Sequence, residues 1–155
     1  MRNILILISL IALAGCTVDN SDLVQHSYTD EQTDSNTGLV LQPSANMWVS
    51  FPEMVNIYLA TETCMGMTAR PAPTVAFKSF SEQRIGGVWG FYHAGEQVVW
   101  INADENLAPR SQQTDTETLQ HEFIHHILYA NDSPYHDGES PELFQKCGIG
   151  VNTYN

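Results

Sequence analysis

Residues 114–130 read TDTETLQHEFIHHILYA, and their spacing leaves the chain little choice. On a helical wheel at about 100° per residue, Leu119, Phe123, Ile124, Ile127, Leu128 and Ala130 fill roughly one half-turn. A helix with that pattern must bury one side against a second layer, so the rest of the chain has to supply that layer. Thr114 and Glu117 have capping-box spacing, and Asp115 and Glu117 fall in the electropositive first turn. Asn131 and Pro134 supply a stop. The spacing predicts a helix over 114–130.

Two histidines border the apolar half of that helix. With Leu119 at 0°, His121 and His125 fall at about 200° and 240°, and Glu122 near 300°. Residues four apart lie one turn along the axis, so both imidazoles can reach one ion at the boundary between core and solvent. Neutral imidazole suits zinc. Two His and one further protein ligand leave a coordination position open to water. Glu122 is one step round from His121, where its carboxylate can take a proton from that water. The predicted roles are therefore His121 and His125 as metal ligands, Glu122 as catalytic base, and one Zn2+ per chain. His126, near 340°, points too far round to share the ion.

The remaining segments suggest strands. Runs at 55–59, 74–80, 87–93 and 97–102 are rich in β-branched and aromatic residues, the last two joined as a hairpin through Ala94-Gly95-Glu96. Trp89 and Trp100 are expected in the core or on a sheet face, and Tyr92 and His93 at the surface by the hairpin turn. Residues 104–113 read as a loop. Ser140-Pro141 opens a short helix through Cys147, ended by Gly148. The expected class is α+β: a small antiparallel or mixed sheet on the long helix, plus a short C-terminal helix.

The first residues have a different physics. Arg2 precedes an apolar run, residues 4–13, too short for the roughly twenty residues that span a bilayer. The run ends in Leu13-Ala14-Gly15-Cys16, which resembles the lipobox of bacterial lipoproteins. That resemblance implies a signal peptide over 1–15 and fatty-acyl chains such as palmitate on Cys16. It also implies anchoring in the bacterial cell envelope, at the outer membrane if the source is Gram-negative. Residues 16–42 are polar and acidic without Lys or Arg, and read as a flexible tether to a domain over 43–155. In an oxidising compartment the two remaining cysteines, Cys64 and Cys147, are expected to form a disulfide. The whole chain has 6 basic and 18 acidic residues, net −12, which excludes nucleic acid as a partner because phosphate binding needs cations.

His121-Glu122-Phe123-Ile124-His125 is an HExxH sequence, and over 114–130 the chain resembles the zincin metallopeptidases. The resemblance implies a minimal zincin-like domain and zinc-dependent hydrolysis of a peptide or protein substrate. No Gly or His follows as in metzincins, and no NExxxD-type helix follows as in thermolysin-like enzymes. A closer likeness is to the Spartan/SprT-like group, where a third His precedes a helix beginning Pro-Glu. Aligning Pro141-Glu142 puts Glu139 at that third-ligand position, and a short insertion restores His136. His136 is the preferred third ligand by residue type, with Glu139 the alternative. Tyr135 is a candidate oxyanion stabiliser, as Tyr or His is in many zincins. By the same likeness, residues 97–102 would form the edge strand that pairs with extended substrate. The alternative to a peptidase is a non-catalytic, zinc-containing binding or structural lipoprotein of the envelope.

Overall fold

The computed structural model describes residues 24–80, 89–104, 110–134 and 141–148. Over the described residues the fold is α+β, with a small mixed sheet and three helices. Strands β1 (His26–Tyr28) and β4 (Ser44–Met47) pair antiparallel as a separate two-stranded sheet. The main sheet contains β2 (Gln32–Thr33), β3 (Val40–Leu41), β5 (Thr74–Lys78), β6 (Gly90–His93) and β7 (Val98–Asn102), in the order β2-β3-β5-β7-β6. Its three inner strands are parallel, while β2 and β6 run antiparallel to their neighbours. The helices among the described residues are α1 (Phe51–Met65), α2 (Gln112–Ala130) and α3 (Pro141–Lys146).

The core lies between α1, α2 and one face of the main sheet. Leu41, Val75, Val99 and Ile101 from the strands meet Met54, Tyr58, Leu119, Phe123, Ile124 and Ile127 from the helices. The Tyr58 ring meets Phe123 edge to face at 5.1 Å, and its hydroxyl donates to the Ala69 carbonyl, so a polar group is buried without loss of its hydrogen bond. Among the described residues, no helix is long and apolar enough to cross a membrane.

The tether expected over 16–42 is corrected only where it falls within the described residues, which are folded. From His26 onward this stretch contributes three strands, and Leu39 and Leu41 are fully buried. The turn that makes this possible is polar. The Asp34 carboxylate accepts from the Thr37 N–H at 2.8 Å and from its hydroxyl at 2.7 Å, which holds the Asp34 carboxyl below its usual range. Gly38 then takes φ +78, and a Cβ there would lie 2.9 Å from Pro71 Cβ, so both the conformation and the space call for glycine. The acidic, hydroxyl-rich composition belongs to turns and the outside of a hairpin that places two leucines inside.

Residues 55–59, expected as a strand, lie inside α1. Its buried residues Met54, Tyr58, Thr61, Glu62 and Met65 recur at helical spacing. Ser50 caps it with a full capping box to Glu53, Pro52 sits in the first turn, and Gly66 closes it in the left-handed conformation. The cap of α2 also differs from the expected one. Ser111, not Thr114, is the N-cap, its hydroxyl accepting the Thr114 N–H at 3.2 Å. Thr114 is already in the first turn, and Glu117 accepts from the Gln113 side chain instead.

Candidate metal centre

The start of α2 is anchored before the histidines are reached. Buried Arg110 donates through Nε and Nη2 to the Asp115 carboxylate at 2.8 and 2.9 Å. The same carboxylate accepts the Trp48 N–H at 2.9 Å, and Arg110 also donates to the Asn46 carbonyl. Asp115 was expected only to favour the helix dipole. It instead ties the first turn of α2 to β4 and its following residues.

From that anchor, Leu119, Phe123, Ile124, Ile127 and Leu128 turn into the core, while His121 and His125 are half-buried at its border. Their Nε2 atoms lie 3.2 Å apart. At this distance one neutral ring can donate to the other, or both lone pairs can face one ion. Two zinc–nitrogen bonds of about 2.05 Å meeting near the tetrahedral angle would set the nitrogens roughly 3.3 Å apart, so the pair fits zinc. Burial lowers the His121 pKa, which favours the neutral form that a metal ligand needs.

Glu122 is buried between α2 and the sheet, at 6% exposure. It faces β6 at Gly90: a Cβ there would lie 3.4 Å from Glu122 Cγ, 2.7 Å from Thr118 Cγ2 and 3.1 Å from the Trp100 carbonyl oxygen. The absence of a side chain at residue 90 is what allows α2 to press against β6 beside the carboxylate. The expected catalytic base thus stands next to His121 in sequence and next to an outer strand in space.

That outer strand is not the expected one. Residues 98–102 form β7, which is paired on both sides, parallel to β5 and antiparallel to β6. Among the described residues β6 ends the sheet, and α2 lies against it.

His126 occupies the other side of the helix, as its wheel position implies. It is fully buried, Nδ1 lies 3.1 Å from the Tyr92 hydroxyl, and its ring packs on Tyr58. Burial pushes its pKa down to about 4, against smaller opposing effects of the Pro71 carbonyl and Glu62. Tyr92 is therefore packed against the core, not a surface residue of the turn. His93 is exposed, its Nδ1 accepting the Glu96 N–H. Trp89 is half-buried, and the half-buried Trp100 carries the Lys78 ammonium over its ring at 5.2 Å.

Cys64, in the last turn of α1, and Cys147, just after α3, are joined as a disulfide. Cys16, Tyr135, His136 and Glu139 lie outside the described residues. Among the described residues no group of three or more His, Cys, Asp or Glu side chains is placed to hold a metal ion, and His121, His125 and Glu122 are the expected site residues that are described. The sequence reading missed Phe144. Fully buried on α3, it packs against His121 at 4.6 Å and His125 at 5.3 Å between ring centroids. A signal was present, because Phe144 and Cys147 are three residues apart and so share a face near the bridge.

Comparison with protein-family models, with curated proteins and with solved structures finds no match for this chain.

Proposed function

We propose that the chain is a zinc-dependent peptidase, held at the cell envelope by acyl chains on Cys16. The observation that carries this reading is the 3.2 Å approach of the two Nε2 atoms, with the buried Glu122 carboxylate on the same helix. His121 and His125 would hold the metal, with His136 as third ligand and Glu139 as the alternative. When bound, zinc supplies the Lewis acid that acidifies water and polarises a carbonyl.

The chain's own groups do the rest. Glu122 accepts a proton from the attacking water and returns it to the leaving amine, a cycle that needs a carboxylate and is closed to an amide. Its position against β6 supports substrate binding along that strand. An extended peptide paired outside β6 would run beside the helix that presents the base. The partly buried histidines and the apolar wall behind them limit water on one side of the site, which strengthens electrostatic interactions there.

The test is zinc content and cleavage of a mixed peptide library, measured on the chain as exported and on Glu122→Gln. About one zinc per chain in both, with cleavage lost only in the variant, supports the proposal. Zinc in both with cleavage in neither points to a non-catalytic zinc lipoprotein. Failure to bind zinc at micromolar concentration overturns both.

A further inference from the structure

Two imidazoles one helical turn apart do not converge by spacing alone, because each ring turns about its χ2 bond with a broad preference. Here both rings rest on one phenyl group. Phe144 meets His121 at 47° and His125 at 58° between ring planes, and no part of it reaches solvent. It comes from α3, a six-residue helix far below the roughly twelve to fifteen residues at which an isolated helix becomes even marginally stable.

What holds α3 in place is therefore external to it. Cys147 is bonded to Cys64 in α1 across 83 residues of sequence. The Cys147 carbonyl accepts a hydrogen bond at 3.1 Å from the side chain of Gln120, the residue before His121. A continuous chain of contacts runs from the end of α1, through the disulfide, to Phe144 and on to both histidines.

We infer that Phe144 is a positioning residue for the metal pair, and that the Cys64–Cys147 bond acts on metal affinity through it. This rests on the zinc reading of the site. The phenyl ring restricts both imidazoles to orientations in which their Nε2 atoms face one point, so less freedom is lost when an ion is taken up. A mere core plug would affect stability and leave the affinity of the folded protein unchanged.

The experiment uses the chain as exported, with Phe144→Leu, Phe144→Ala, the paired Cys64→Ser/Cys147→Ser change, and that pair combined with Phe144→Leu. Zinc affinity is measured by competition with a chromogenic chelator, and Co2+ binding by its visible absorption, both well below each variant's melting temperature. Phe144→Ala should weaken zinc about 10- to 100-fold, and Phe144→Leu by less, with altered Co2+ bands. The serine pair should weaken zinc too, yet add little on top of Phe144→Leu, because both act through one group. Should Phe144→Ala fail to fold, Phe144→Leu decides. Wild-type affinity and an unchanged Co2+ spectrum in folded Phe144→Leu overturn the inference while the zinc reading stands. Full additivity of the serine pair with Phe144→Leu overturns the link to the disulfide. An unmodified chain that binds neither metal overturns the inference and the zinc reading together.

Discussion

Gly90 and Glu122 face each other across the seam between β6 and α2, with 3.4 Å from a Cβ position at residue 90 to Glu122 Cγ. The tighter limit is Thr118, whose Cγ2 would lie only 2.7 Å away. Thr118 is β-branched and stiff at χ1, so it cannot turn aside cheaply. Gly90→Ala should cost about 1–3 kcal/mol of stability, as overpacking does. Adding Thr118→Ser, which removes that methyl group, should restore part of the loss. Urea unfolding of the two variants checks this, and equal losses in both would show that the seam yields elsewhere.

The Arg110–Asp115 pair is predicted to behave as a buried unit. Both side chains are nearly inaccessible, at 6% and 3% exposure. Removing one partner leaves the other charged and without its ion pair, so Asp115→Ala and Arg110→Ala should each destabilise by about 3–5 kcal/mol. The double variant should lose less than the sum of the two, which a double-mutant cycle by thermal or urea unfolding measures.

His126 makes folding sensitive to acid. Its pKa falls from the ordinary value of 6.5 to about 4 in the folded chain, chiefly through burial. Between those values the unfolded chain binds a proton that the folded chain refuses, so stability rises with pH across this window and is lost as pH falls through it. The full effect would be about 3 kcal/mol by pH 4. The lowered pKa of His121 acts in the same direction. Urea unfolding of metal-free protein between pH 7 and pH 4 should show this slope, and His126→Asn should flatten it. An equal slope in the variant would place the effect elsewhere.

The start of α2 offers a direct contrast. Ser111→Ala should destabilise by about 1 kcal/mol through loss of the cap. Thr114→Ala removes no N-cap and should cost less. Melting temperatures of the two variants order them, and the reverse order would move the helix start to residue 114.

How far the fold was legible in sequence depended on the strength of local period. Residues 114–130 carry enough apolar positions at helical spacing for one reading to stand, and His121, Glu122 and His125 followed from it. At 55–59, by contrast, Val55, Ile57 and Leu59 alternate with Asn56 and Tyr58 and mimic a strand. The helical evidence lay outside that short window, in Ser50, Glu53 and Gly66. Strands of two residues, such as β2 and β3, have no period to read. The internal place of β7 was equally hidden, because strand order is decided by crossovers and not by any one segment. Compartment and number alone pair Cys64 with Cys147, and the bond is there. Phe144 required knowing where that bond puts α3.

The strands before α1 also limit where the domain could be trimmed. A fragment begun at residue 43 would lose β1, β2 and β3 together with the fully buried Leu39 and Leu41. It would leave β5 without its parallel neighbour β3, a bare sheet edge open to pairing with a second copy.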